Sequence, residues 1–469
     1  MTIAKQHLLA LTPEELTERI TALGMPKFRV KQIHEWIFEK RATSFQEMTN
    51  LSLADRGRLE EQFAIFTSTM VRRQTASDGT DKILLQWPGN DDTTKTDLTT
   101  EDDDGTTKTQ STRRPTKVDL KSLISDFKTT NADAESQVSD LTAGKADSEY
   151  QISNLKSQSS ELSADEANLK SQISNLNAPR SGLKVIEEER AALTETVMIP
   201  ADDDRCDDYG NTVVAHRRTA CLSTQVGCPV GCAFCASGIG GLQSSLGAGE
   251  IVEQALRLTH LLPVEGAGHR LTNIVFMGMG EPLANLNATV AAIRVLMAPW
   301  AFHISARKIT VSTVGLPTQM KRLADLEIPV TLALSLHAPN DELRRQIIPW
   351  ANKISLQQIV DAGRYYFDKT GRELTIEYIM LDGVNTATEH ARQLARIAKE
   401  LRANVNLIYY NEVPELRFRR PTGPTMFGFQ ATLRAAHVNA HIRKSRGRDI
   451  AAACGQLARQ NAEGKALGH

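Results

Sequence analysis

The chain has only six cysteines in 469 residues, and three of them fall within residues 228–235. So sparse and uneven a set excludes a secreted disulfide framework and leaves metal binding or catalysis as the use of the thiols. The sequence also lacks an apolar run of membrane-spanning length. Its first residues, MTIAKQHLLALTPEEL, lack the basic start, apolar stretch and small-residue cleavage site of a signal peptide. A soluble, reducing, cytoplasmic setting with no membrane partner is the expectation. Net charge is almost absent too, at −1, but that balance hides an asymmetry. Residues 91–176 hold 10 basic and 17 acidic residues, whereas residues 417–448 hold eight Lys/Arg and no Asp or Glu. The basic segment, with Phe418, Phe427 and Phe429 between its charges, has the composition that meets a polyanion such as RNA, or else is a solvated basic surface.

Residues 1–90 read as a small, mainly helical domain followed by a strand. Thr12-Pro13-Glu14-Glu15 combines an N-cap, a proline at the first helical position and a capping-box glutamate. Val30, Ile33, Trp36 and Ile37 form an apolar helix face, and DKILLQW (81–87) reads as a strand. Residues 91–190 read as an insertion. Its first part, 91–117, is a Thr/Asp-rich tract with little to build a core, predicted to be disordered. From about 120 to 178 one heptad position is mostly apolar (Phe127, Leu141, Leu155, Leu162, Leu169, Leu176), which predicts a long helix or imperfect coiled coil, a spacer or self-association arm.

From residue 191 apolar β-branched runs alternate with helical stretches. The strand candidates are 195–200, 219–224, 272–279, 307–313, 330–337, 374–381, 405–412 and 440–445. This alternation predicts an α/β fold with a parallel sheet and helices outside it, and about six repeats predict an open or partial barrel. Ligands of such sheets sit at the C-terminal strand ends. Polar residues gather there: the cysteine loop after TACLSTQ, GMGEP (278–282) after NIVFM, Ser312 and Thr313, then Ser335-Leu336-His337, and Asn411.

Cys228, Cys232 and Cys235 have the spacing Cys-x3-Cys-x2-Cys. Zinc would need a fourth ligand and more often takes ligand pairs from two separate knuckles. A [4Fe–4S] cluster held by three thiolates keeps one iron open, and a methionine-derived amino acid can chelate it, as S-adenosylmethionine (SAM) does. Gly280 would then let the backbone approach the cofactor and Glu281 would accept from its amino group. Ser312, Ser335-Leu336-His337 and Asn411 would complete the cofactor site. Cys221 and Cys454 read either as reactive thiols or as buried small hydrophobes. Cys206, among carboxylates, is assigned no role.

CLSTQVGCPVGCAFC, GMGEPLANL, SLHAPND, TIEYIMLDGVN and RKSRGRDIAAACGQLA together resemble the RlmN family of dual-specificity RNA adenine-C2 methyltransferases in the radical-SAM superfamily. KFRVKQIHEWIF and FQEMTNL are similar to that family's small helical RNA-binding domain. The resemblance covers roughly 10–90 and 191–460. It implies a partial (βα)6 radical-SAM barrel over 191–462, an RNA-binding accessory domain over 1–90, and a disordered tail at 463–469. It implies one [4Fe–4S] cluster per chain, two SAM per turnover, 23S rRNA and tRNA as substrates, and an electron donor such as flavodoxin or ferredoxin. One SAM would methylate Cys454, and a second would be cleaved to a radical that activates the S-methyl group. The carbon would add to adenine C2, Glu195 would remove the C2 proton, and Cys221 would release the product through a disulfide with Cys454. Three departures stand out: the insertion, a longer link from Glu195 to Cys221, and GGLQSSLGAGE, which lacks basic and Asn residues common after the family's cluster loop. The alternatives are a related adenine-C8 methyltransferase, a non-catalytic RNA-binding protein with a structural cluster, and a scaffold built on the heptads.

Overall fold

The computed structural model describes residues 5–88, 192–200, 217–265 and 268–457. The described residues belong to one compact unit. The expectations for 91–117, for the heptad segment, for Cys206 and for the 463–469 tail lie outside the described residues.

The N-terminal helices follow from their local signals. Helix α1 (Pro13–Ala22) starts at the Thr12–Glu15 capping box, with both reciprocal hydrogen bonds made. Helix α2 (Arg29–His34) runs into a wider turn over Glu35–Glu39 and buries Val30, Ile33, His34 and Ile37. Helix α3 (Leu53–Gln62) closes the group. These helices dock on the larger body through buried polar contacts. The Glu253 carboxylate accepts from Thr67 and Ser68 backbone N–H groups at 2.8 and 3.0 Å and pairs with His7 at 2.9 Å. Burial works to raise the Glu253 carboxyl, but the hydrogen bonds from His7, Ser68 and Thr67 outweigh it and hold it down to about 2. The His34 ring stacks on Trp300 at 4.3 Å.

The main body is one ten-stranded sheet. Seven strands are parallel: β6 (Arg218–Cys221), β9 (Asn273–Phe276), β10 (Ile309–Thr313), β11 (Thr331–Ser335), β12 (Thr375–Met380), β13 (Asn404–Tyr409) and β14 (Ala440–Arg443). Their crossovers carry α4 (Ala248–Thr259), α5 (Leu286–Met297), α6 (Pro317–Asp325), α7 (Asp341–Ile347) with α8 (Leu356–Thr370), α9 (Thr388–Glu400) and α10 (Gly423–Ala435). The six crossovers make this the partial (βα)6 barrel. Its apolar core runs continuously between sheet and helices, from Ile274, Val311 and Leu332 to Leu296, Met320 and Leu394. Among the described residues no helix is long and apolar enough to cross a membrane.

Every strand candidate in 191–460 is a strand, but the first of them departs from the parallel expectation, and two strands from the N-terminal part join the sheet beside it. β5 (Ala192–Pro200) runs antiparallel to β6. β4 (Asp81–Trp87) runs antiparallel to β5, and β3 (Thr69–Thr75) antiparallel to β4. The 81–87 strand therefore belongs to the barrel sheet rather than to the helical domain. An apolar run signals a strand without its direction, because an antiparallel neighbour needs no crossover helix. Since Trp87 is paired with Ala192, the chain leaves and re-enters the sheet at one place.

Among the described residues the sheet does not close by strand pairing. Instead the β3–β4 turn meets the loop after β14. Ser77 N–H donates to the Asp449 carboxylate at 2.8 Å, and Gly447 N–H donates to Asp78 at 3.0 Å. This seam brings the Cys454 segment over the mouth of the barrel.

Candidate active site

Strand register decides which side chains look into the barrel. Val197 lies opposite Cys221, Lys82 opposite Val197, and Leu84 opposite Glu195. Directly opposed residues share a face, and so do residues two apart on one strand. Lys82, Leu84, Glu195, Val197 and Cys221 thus occupy one inner face. Ala452 and Leu457 of the C-terminal loop pack onto it with Met279, Val197 and Cys221. The structure brings Glu195, Cys221 and Cys454 to one end of the barrel although they span more than half the sequence.

Cys221 is buried, and Cys454 is half-buried in the loop above it; both are free thiols. Burial pushes the Cys221 thiol up to about 12, and negative charge on Cys454 adds to the effect. Burial also raises Cys454, against the pull of the nearby Arg443 guanidinium. Arg443 is itself anchored by Glu377 at 3.3 Å. Asn411 Nδ2 donates to the Cys454 carbonyl at 3.2 Å.

Cys228, Cys232 and Cys235 lie on the loop between β7 (Gln225–Gly227) and β8 (Leu242–Ser245). All three pack against an apolar cluster that includes Val230, Phe234, Leu343 and Ile348. Burial pushes Cys228 up to about 12 and raises the other two; charge on neighbouring cysteines adds to the rise at each. Backbone N–H groups of Val230 and Gly231 point at Cys228, and those of Ser237 and Gly238 at Cys235. Half-buried thiols in an apolar surround that repel one another as thiolates, yet are offered N–H donors, are suited to a shared positive centre. Among the described residues no group of three or more His, Cys, Asp or Glu is gathered so as to hold a metal ion. A cluster is less demanding than a single ion, because it places each thiolate on a different iron.

The Cys454 loop is tied directly to this cysteine loop. Ala236 N–H donates to the Gly455 carbonyl at 2.8 Å, and Ser237 Oγ to the Leu457 carbonyl at 2.6 Å.

The other expected residues ring the same mouth. Gly280 has φ +104°, and a Cβ there would lie 2.7 Å from Gln225 Cβ and 2.8 Å from Thr224 Oγ1. Only glycine fits that close approach. Glu281 is buried. Its two carboxylate oxygens accept from Leu283 N–H at 3.0 Å and Val314 N–H at 2.8 Å. Burial nevertheless pushes its carboxyl up to about 7. Ser312 gives its hydroxyl proton to the Phe276 carbonyl at 2.6 Å. Ser335 ends β11, half-buried. Leu336 is core, and its backbone N–H donates to the Leu334 and Glu377 carbonyls. His337 has φ +58°; its Nδ1 accepts from Ile379 N–H at 3.1 Å, and its ring stands edge-on to Phe234 at 5.0 Å. Burial pushes the imidazole down to about 3, so it is neutral. His337 thereby braces the cysteine loop.

Several buried polar atoms here have no protein partner: Asn411 Oδ1, Thr224 Oγ1, and Nε and Nη1 of Arg344. Arg344 is almost fully buried, within electrostatic reach of Cys232. Orphaned buried donors and acceptors beside a glycine-lined cradle are what a polar cofactor such as SAM would satisfy.

Sequence reasoning missed Lys82, Arg344, the Arg443–Glu377 pair and Asn385. Asn385 is buried and binds the backbone of His337, Ile379 and Leu381. The only signal for Lys82 is a charge placed directly before the apolar run Ile83-Leu84-Leu85 of its strand. The basic 417–448 segment is less of a surface than its composition implied. Phe418 and Phe429 are buried and Arg443 is ion-paired, which leaves Phe427 as the exposed aromatic.

Known proteins agree with this architecture. The profile of the ribosomal RNA large subunit methyltransferase N-terminal domain matches residues 6–65, and that of the Radical SAM superfamily matches residues 222–395. A Rhodopirellula baltica protein named as a probable dual-specificity RNA methyltransferase RlmN is 35% identical over 462 residues, 98% of this chain and 93% of its own length. A protein of the same name from Alkaliphilus oremlandii is 46% identical over 246 residues, 52% of this chain and 70% of its own. The crystal structure of a radical SAM methyltransferase from Sphaerobacter thermophilus superimposes with a TM-score of 0.70 at 32% identity, covering 96% of this chain and 99% of that one. A helical N-terminal domain, a six-crossover barrel and a three-cysteine loop at its mouth therefore make this chain a member of the RlmN family of SAM-dependent RNA methyltransferases, within the radical SAM superfamily.

Proposed function

We propose that the chain methylates C2 of one adenosine in 23S rRNA and of the adenosine beside the anticodon in tRNAs. The observation that carries this reading is the meeting of Cys221, Glu195 and the Cys454 loop on one inner face, tied to the three-cysteine loop. A binding protein or scaffold needs none of those three residues. Cys228, Cys232 and Cys235 would hold one [4Fe–4S] cluster per chain. Gly280, Glu281, Ser312, Ser335, Leu336, His337 and Asn411 would frame SAM. When bound, the cluster supplies the electron that splits the SAM sulfonium.

The chain's own residues do the rest. Cys454 Sγ takes a methyl group from one SAM; that S-methyl group loses one hydrogen to the second SAM consumed in each turnover, and the remaining CH2 carbon bonds adenine C2, forming a covalent protein–RNA adduct. Glu195 accepts the C2 proton. Cys221 Sγ then bonds to Cys454 Sγ as the Cys454 S–C bond breaks, and the freed methylene takes up the proton that Cys221 gives up, which releases the methylated base. The buried, protonated state of Cys221 suits this order, because it keeps the resolving thiol inert until its partner is loaded.

Cys221→Ala is expected to accumulate protein–RNA adduct on a denaturing gel, and free turnover by that variant would overturn the resolving role. Mass spectrometry of rRNA and tRNA nucleosides from cells lacking the gene should show loss of 2-methyladenosine. Loss of 8-methyladenosine instead would assign the C8 reaction.

A further inference from the structure

One buried ion pair inside the barrel is not used by the scheme above. Lys82 Nζ lies 2.7 Å from Glu195 Oε1, and the two side chains are 3% and 1% exposed. The same ammonium donates to the Ala451 carbonyl at 3.2 Å. Ala451 has φ +52° and stands three residues before Cys454, on the loop that crosses the barrel mouth. Lys82 is on β4, Glu195 on β5 and Ala451 beyond β14, so one side chain joins three separate parts of the chain.

The inner-face register explains the geometry. Leu84 lies opposite Glu195 and Lys82 opposite Val197, which makes Lys82 and Glu195 diagonal neighbours on one face. A long lysine side chain spans that diagonal. A carboxylate this deeply buried has lost its water, and a cation in contact is what favours its ionised form. An ionised carboxylate accepts a proton; a protonated one does not. The Ala451 carbonyl fixes the ammonium from the side of the Cys454 loop.

We infer that Lys82 is the positioning residue of the proton-accepting step, holding Glu195 ionised and aimed while the Cys454 loop is seated. This rests on Glu195 being the proton acceptor proposed above. Lys82 acts through Glu195, with which it is paired.

The test uses cluster-reconstituted full-length protein with its RNA, and compares Glu195→Gln, Lys82→Met, Lys82→Arg and the double variant. Two stages are read separately: S-methylation of Cys454, from the mass of its peptide, and the protein–RNA adduct on a denaturing gel. Lys82→Met is expected to keep Cys454 methylation and to slow adduct release by about a hundredfold, the scale of a lost general base. Lys82→Arg, which keeps the charge, should recover about tenfold or more of that loss. A merely structural role would lower both stages together and would overturn the inference.

If Glu195→Gln releases the adduct at the wild-type rate, the proton-acceptor reading itself fails. If Glu195→Gln stalls while Lys82→Met releases normally, only the role of Lys82 fails. Should Lys82→Met not fold, the double variant removes both charges and decides the matter. A residue acting only through Glu195 adds less than about twofold to the Glu195→Gln defect, and a further tenfold loss would refute the assignment.

Discussion

The docking of the N-terminal helices should weaken in mild acid, and one histidine sets the size of the effect. His34 is 4% exposed and stacked face-on against Trp300, with Phe38 edge-on to the same indole at 5.8 Å. Burial pushes its imidazole down from 6.5 to about 4. The ring is therefore neutral in the folded protein, whereas the unfolded segment takes up a proton near 6.5. As pH falls through 6.5 the unfolded form binds protons that the folded form refuses, so stability declines, and the decline levels off below about 4. The gap of two and a half units corresponds to about 3 kcal/mol in full, of which about 2 kcal/mol is lost by pH 5. Amide hydrogen exchange of the Val30–Phe38 peptides, corrected for the intrinsic pH dependence, should then speed up about 30-fold between pH 7.5 and 5. His34→Phe keeps the stacking and cannot titrate, so its protection should stay flat over the same range. Equal acceleration in wild type and His34→Phe would refute the reasoning.

Gly280→Ala places a methyl group against Gln225 and Thr224 in a left-handed backbone. It should cost about 1–3 kcal/mol at the cradle, seen by equilibrium dialysis as roughly a tenfold or greater loss of SAM affinity with iron content unchanged. Replacing residues 91–190 by a short turn should leave RNA methylation within about twofold and should not lower the thermal midpoint, because closing a long loop costs only logarithmically in its length. Loss of methylation on that deletion would make the insertion part of the enzyme.

The parts of this protein that were legible in its sequence are those whose signal is local. Strands such as β10 and β12 announce themselves as β-branched apolar runs, the Thr12–Glu15 box as a helix start, and the cysteine loop as three thiols with a distinctive spacing. What stayed hidden depends on partners far along the chain. Lys82 is one charge in a strand until β5, beyond the insertion, is laid beside it. Arg443 reads as part of a basic surface until β12 brings Glu377 within 3.3 Å. β3, with the sequence TMVRRQT, carries too little apolar alternation to be seen, and β7 is only three residues long. The direction of β4 and β5 was invisible for another reason: hydrophobic content is the same for either sense of pairing.

The sheet is a cuff rather than a ring. A ring of strands opens only by tearing several rungs of its ladder together. This cuff is fastened along one side by two aspartates, Asp78 and Asp449, each holding one backbone N–H of the opposite edge. Each is a charge-assisted bond, and the one made by Asp449 lies open to solvent, which screens it. Unfastening them breaks no rung of the ladder. The stretch of chain that runs on from this clasp is the one that leads to Cys454, so the proposed methyl carrier sits seven residues beyond Gly447, where the cuff is fastened.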